Sequence, residues 1–167
     1  MTKYSRKRSI INLPVPRTFS HRAGASKTFK LRKSNNLDNF QKEITVKFLE
    51  ITNMIKLYHW KTYSYSTHKA TDELYGKLSE NMDRFMEILL GKSGQGHRTN
   101  LTSIKNIKLQ DLTSNESLKR EIVVFKSYLV NLDNHKAMKI MSNSDLYNIR
   151  DEILGDLNQF LYLLTLK

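Results

Sequence analysis

The sequence predicts an all-α fold, four helices with one long crossover between the second and third, preceded by a basic N-terminal arm. Three observations carry this. Apolar residues recur at steps of three or four through four separate segments, as they do on helices with one buried face. No segment keeps up the alternation of a half-buried strand. A long stretch from Gly91 to Leu112 parts the second segment from the third, which suits a bundle with one crossover connection.

The chain of 167 residues is one domain long enough for a four-helix core. It has no cysteine, which excludes disulfides and cysteine-ligated metals and leaves nothing that speaks for secretion. Its apolar runs fall well short of the ~20 residues that cross a bilayer, and its start lacks the apolar segment of a signal peptide. The expectation is a soluble, intracellular protein with no membrane partner.

Residues 1–36 form the arm. They hold Lys3, Arg6, Lys7, Arg8, Arg17, Arg22, Lys27, Lys30, Arg32 and Lys33 with no acid among them. The remaining chain has 18 basic against 16 acidic residues, so the arm carries ten of the net twelve charges. Pro14, Pro16 and the lack of helical periodicity predict an arm that is disordered when free. A basic arm on a nearly neutral body suits DNA or another polyanion, because each phosphate neutralised releases counterions. Tyr4, Phe19 and Phe29 are available to stack on unpaired bases. The apolar residues Ile10, Ile11, Leu13, Val15 and Phe19 offer another role, docking on a partner subunit or a capsid-like shell. The arginine-rich start also matches a nuclear-localisation patch.

The first helix is expected from Leu37, with Asn35 or Asn36 as N-cap and Asp38 in its first turn. Phe40, Ile44, Phe48, Ile51, Ile55 and Tyr58 continue at helical spacing to His59-Trp60. Trp60 reads as a core or interface anchor, and His59 as either a buried, hydrogen-bonded histidine or a ligand. Ser64 to Thr67 is a tight turn in which Ser66 or Thr67 caps a second helix that runs to Leu90. Ala70, Leu74, Leu78, Met82, Phe85 and Leu89 form its apolar face.

Beside that face, His68, Asp72, Asp83 and Glu87 fill a sector about 100° wide. A carboxylate stripe alone is usually a solvated helix edge. Here His68 and Asp72 stand four apart, as do Asp83 and Glu87, so each pair stacks one turn above the other and can converge on a point. Imidazole with several carboxylates suits iron or manganese, or zinc at a more tetrahedral site, and suits calcium poorly. The sector borders the core, so a metal there needs further ligands from a neighbouring helix or a second subunit.

Gly91 to Arg98 reads as a basic crossover loop in which His97 is solvated. It contains Gly-Lys-Ser, but Met86 stands where a phosphate-binding loop needs its first glycine. Leu101, Ile104, Ile107, Leu109 and Leu112 suggest a short helix across the bundle. The third helix should start near Ser114 or Asn115, with Glu116 in its first turn, and run through Leu118, Ile122, Phe125, Leu129 and Leu132 to about His135. After a polar break over residues 138–143, Ser144 caps the last helix, with Leu146, Ile149, Ile153, Leu157, Phe160, Leu161 and Leu164 on its apolar face. Asp151, Glu152 and Asp156 open a rival metal site within one bundle. No Glu-x-x-His occurs in the third or fourth segment, which favours the intersubunit arrangement. No acid-base or nucleophilic catalytic set is visible.

The spacing of His59-Trp60, His68, Asp72, Asp83 and Glu87 resembles that of the ferritin-like Dps proteins. Those have His-Trp near the end of the first helix, then His, Asp four later, Asp eleven after that and Glu four further on. Four of the five positions match in register; the histidines lie nine residues apart here against about twelve there, which leaves open whether His59 reaches the site. The HWKTYSYSTHKA wording with its short turn is similar to an uncharacterised ferritin-like group of large DNA viruses and phages. The resemblance implies a ferritin-like four-helix bundle over residues 37–167, assembled as a homo-oligomer with a dimer as its unit and a hollow dodecamer as its complete form. It implies an iron-binding ferroxidase centre shared between two subunits, with His59, His68, Asp72, Asp83 and Glu87 as ligands, oxidation by peroxide or dioxygen, and protection of nucleic acid held by the arm. The implied setting is a nucleoid, viral factory or virion. The alternative is a non-enzymatic protein that condenses a genome or builds a virion on the same scaffold.

Overall fold

The computed structural model describes residues 23–93, 103–139 and 141–166, with side chains from Asn36 onward. Four helices make up the fold: α1 (Ala23–Lys61), α2 (Tyr65–Gly91), α3 (Asn115–Asn131) and α4 (Ser144–Leu163). A short 3-10 turn, Leu132–Asn134, follows α3, and there is no strand among the described residues.

Each helix buries most of the stripe that its spacing predicts, with Ala70, Leu161 and Leu164 only partly covered at its edge. Phe40, Ile44, Phe48, Ile51, Ile55 and Tyr58 of α1 meet Leu74, Leu78, Met82, Phe85 and Leu89 of α2 in one core. Leu118, Ile122, Phe125 and Leu129 of α3 and Leu146, Ile149, Ile153, Leu157 and Phe160 of α4 complete it. Phe48 stands edge-on to both Phe85 and Phe125, at ring separations of 5.5 and 6.3 Å, a favoured aromatic geometry that ties α1 to α2 and α3.

Cross-bundle contacts fix the directions. The Tyr58 hydroxyl donates to Asn115 Oδ1 at 2.7 Å, while Phe40 lies 4.6 Å from the His135 ring, so α3 runs antiparallel to α1. Lys77 donates to Gln159 at 2.9 Å, Asn81 to Asp156 at 3.1 Å and Arg84 to Glu152 at 3.0 Å, so α4 runs antiparallel to α2. Going round the bundle the order is α1, α2, α4, α3, with α2 and α3 diagonal and parallel. The chain must therefore climb the length of the bundle between them. Its described part does so beside α1, where the Lys108 N–H donates to Glu50 at 3.3 Å and Lys61 pairs with Asp111.

Local sequence chemistry sets the ends. Ser64 caps α2 by accepting from the Thr67 N–H, displacing the expected Ser66 or Thr67. Ser114 and Ser117 form a reciprocal capping box at the start of α3. Asn143 stands at the N-cap position of α4, so Ser144 is its first helical residue. The buried Asn143 amide donates to the Met138 carbonyl and fixes the break between α3 and α4.

Two longer segments also depart from expectation. Helix α1 begins at Ala23, not Leu37, and takes in Lys27, Lys30, Arg32 and Lys33 of the arm. After Pro16 the chain has no proline, and Ala23, Ala25, Lys27, Lys30, Leu31, Arg32 and Lys33 are strong helix formers that extend a helix without an apolar face. Lys3, Arg6, Lys7, Arg8, Arg17, Arg22 and the loop residue His97 lie outside the described residues. The helix expected over Leu101–Leu112 does not form across residues 104–112. Its apolar residues spread over about 200° of a helical wheel, and an extended chain climbs more than twice as far per residue as a helix.

Leu78 is fully buried, and Leu78→Ala should lower the unfolding free energy by about 2–5 kcal/mol, measured by urea denaturation. A hydrogen bond from Lys92 holds the Asp145 carboxyl below its usual range. The carboxylate therefore stabilises the fold above the unfolded-state pKa, and that contribution is lost as pH falls through the lowered folded value. Both groups are partly solvated, so Asp145→Asn should cost no more than about 1 kcal/mol at neutral pH. Its denaturation midpoint should meet that of the parent chain in strong acid.

Candidate metal centre

The turn from α1 to α2 brings His59 and His68 face to face. Their rings stack with centroids 3.9 Å apart and planes 23° from parallel. His59 Nδ1 lies 3.0 Å from the His68 carbonyl oxygen, and His68 Nδ1 lies 3.1 Å from the His59 carbonyl oxygen. A carbonyl oxygen only accepts, so each Nδ1 carries the proton it donates. In the neutral rings both Nε2 atoms then bear lone pairs. The buried Thr71 hydroxyl sits below the pair, donating to Thr67 or His68 carbonyls, with its oxygen 3.3 Å from His59 Nδ1. The three-residue connection brings the histidines together, and His59 is both buried and hydrogen-bonded.

Asp72 joins this pair. Its Oδ1 is 3.7 Å from His59 Nε2 and 3.7 Å from Lys56 Nζ. A lone-pair nitrogen and a carboxylate oxygen facing each other at that separation repel unless a proton or another cation stands by. Lys56 is the cation that the sequence reading missed. It lies three residues before His59 and so on the same face of α1, which was the available signal. Its ammonium also lies 4.6 Å from the Tyr75 ring centroid.

Asp83 and Glu87 are exposed on α2, roughly 16 and 22 Å along the axis from Asp72. They do not meet His59, His68 and Asp72 within one copy. Among the described residues no group of three or more His, Asp or Glu side chains is arranged to hold a metal ion. Asp83 edges a groove of about 290 Å³ between α1 and α2, walled by Phe48, Leu49, Tyr75, Met82 and Met86.

The acidic residues of α4 have other partners. Glu152 pairs with Arg84, Asp156 accepts from Asn81 and lies 3.8 Å from Lys77, and Asp151 pairs with Arg150. Trp60 is no core anchor: it is 67% exposed, and Tyr63 and Tyr65 beside it are exposed as well. No described helix is long and apolar enough to cross a membrane.

A family model described as a family of unknown function (DUF5856) matches residues 59–164. That span begins at His59 and contains all five candidate ligands, while the basic arm lies outside it. No curated protein and no solved structure matches the chain.

At a pH where both imidazoles are neutral, long-range ¹H–¹⁵N spectra should report the Nδ1–H tautomer for His59 and His68 alike. An Nε2–H signature for either ring would contradict the reciprocal bonds.

Proposed function

We propose that this chain, which belongs to the DUF5856 family of unknown function, is a ferritin-like iron-binding ferroxidase whose metal site is completed between two copies. The observation that carries the reading is the clasp of His59 and His68, which turns both Nε2 lone pairs free while Asp72 stands 3.7 Å from one of them. Backbone carbonyls that hold Nδ1–H are the usual way to fix an imidazole for metal binding through Nε2.

The missing ligands are the exposed carboxylates of a second α2. Two such helices laid antiparallel and centred between Lys77 and Leu78 bring Asp72 of one copy opposite Asp83 of its mate, and His68 opposite Glu87. Gly76 and Ser79 fall in the same helical sector, and a Cβ placed on Gly76 would meet nothing within 4 Å. Small residues at that crossing let two helix backbones approach closely. The up, down, down, up course of α1–α4 with one long crossover agrees with a ferritin-like scaffold.

Iron is the substrate in this reading, with manganese or zinc as alternative occupants. Carboxylates tolerate both Fe(II) and Fe(III), and imidazole favours a transition metal over magnesium. Two ferrous ions give one electron each to a peroxide, which takes up two protons and leaves as two waters, or four ferrous ions reduce one dioxygen with four protons to the same product. The ferric ions accumulate inside a closed oligomer. DNA or another polyanion binds the arm through Lys3, Arg6, Lys7, Arg8, Arg17, Arg22, Lys27, Lys30, Arg32 and Lys33.

A second reading rests on the Lys56–Asp72 pair, which already supplies Asp72 with a cation. In that case the stripe serves only the subunit interface, and the protein is a non-enzymatic scaffold that condenses nucleic acid or builds a virion.

Anaerobic titration with ferrous iron, followed by peroxide and ultraviolet absorbance, separates the two. The ferroxidase reading expects saturable binding and a fast ferric signal that Asp83→Asn with Glu87→Gln abolishes and His59→Ala weakens. Oxidation no faster than in buffer would leave the scaffold reading, in which DNA compaction persists in every variant.

A further inference from the structure

Helix α1 outruns the bundle at the end away from the histidines. Gln41 donates to the Leu89 carbonyl at 3.5 Å and to Ser93, at the close of α2. Phe40 lies against His135, just past the 3-10 turn that follows α3. Lys92 reaches Asp145, in the first turn of α4, at 2.9 Å. The level of Phe40 and Gln41 is thus where the other three helices end or begin. Ala23 stands seventeen residues before Phe40 on α1, which carries the helix about 26 Å past that level at ~1.5 Å per residue.

The residues of this overhang narrow what it can meet. Phe29 and Leu31 stand about 160° apart on the helical wheel, so no apolar stripe runs along it for another helix or a lipid surface. Its charge, by contrast, is of one sign. Lys27, Lys30, Arg32 and Lys33 lie close together, and the first acid of α1 is Asp38. By helix register Lys27, Lys30 and Lys33 share a sector about 120° wide with the small residues Ala23, Ser26 and Ser34. No Asp or Glu stands three or four residues from any of these lysines, and like charges at that spacing repel. An anionic partner relieves the repulsion.

The shape of the overhang selects among polyanions. A helix with its side chains is about 10–12 Å across, and the major groove of duplex DNA is about 12 Å wide and ~8.5 Å deep. A rod projecting about 26 Å is long enough to lie in that groove while the bundle stays clear of the duplex. The major groove of duplex RNA is too narrow to admit it.

We infer that residues 23–36 form a docking helix for duplex DNA, seated in the major groove with the lysine sector against one phosphate strand. The inference rests on the reading that the basic arm holds nucleic acid. It adds which form of nucleic acid is held and how.

The test is fluorescence anisotropy of the full chain with labelled duplexes of DNA and of RNA in the same sequence. The parent chain should bind the DNA duplex at least about tenfold more tightly than the RNA duplex. Thr28→Pro with Ser34→Pro keeps every charge and breaks the overhang as a helix. Both positions precede Phe40, the first fully buried core residue of α1, so the urea midpoint should match that of the parent. This variant should lose the preference for DNA and bind both duplexes alike. Lys27→Gln, Lys30→Gln and Lys33→Gln together should lower the slope of log K against log salt by about two to three. DNA binding that the proline pair leaves unchanged would overturn the inference and leave the arm as a flexible polycation. Equal affinity of the parent for DNA and RNA would overturn it as well. No binding to either duplex would overturn the nucleic-acid reading of the arm along with it, without touching the ferrous iron titration.

Discussion

Helix α2 has to bury one face against two neighbours, and the rest of the molecule follows from that requirement. Leu74, Leu78, Met82, Phe85 and Leu89 pack between α1 and α4, and burying each such side chain is worth about 1.5–3 kcal/mol relative to leaving it in water. No rotation of the helix could hold this stripe in the core and also turn Asp72, Asp83 and Glu87 inward. The carboxylates are therefore committed to the outside of the bundle. Any chemistry they take part in belongs to a surface, and a coordination shell built on them would have to be closed by something the single chain does not supply.

His59 and His68 come together for a different reason, the brevity of the α1–α2 connection. Three residues, Thr62 to Ser64, join the helices, and the last turn of one therefore meets the first turns of the next. At that closeness the two imidazoles can each reach the other's main chain. The bonds they make are structural, since they pin the two helix ends, and chemical, since they decide which nitrogen is left bare. The same two bonds serve both ends, so removing either histidine disturbs the hairpin as well as the site.

Much of this was readable in the sequence. The apolar spacing named nearly every core residue of the four helices, because a 3.6-residue period leaves little choice about which side chains share a face. His68 and Asp72 were legible as one-turn neighbours, and the separation of Asp83 and Glu87 from them follows from helix rise alone. What escaped was of another kind. The extension of α1 back to Ala23 depends on propensity without periodicity. Ser64, Ser66 and Thr67 are all hydroxyl residues able to cap α2, and only the backbone geometry selects Ser64. The climb of residues 104–112 as extended chain is imposed by where α2 ends and α3 begins. The stacking of His59 on His68 arises from turn geometry, and no pattern of residue types announces it.

The order in which the helices are joined has a further consequence, for how the chain comes to be folded. Helices α1 and α2 form one local hairpin, closed by three residues, and α3 and α4 another, closed by twelve. The broad contact between α2 and α4, by contrast, joins residues some seventy to eighty positions apart, as in Lys77 with Gln159 and Asn81 with Asp156. During synthesis the first hairpin is complete long before Phe160 leaves the ribosome, and the α4-facing side of Leu78 and its neighbours stays bare in the meantime. Domains that rely on such late, distant contacts expose apolar surface while they wait. Until α4 covers it, that side of α2 is apolar surface open to any neighbouring chain.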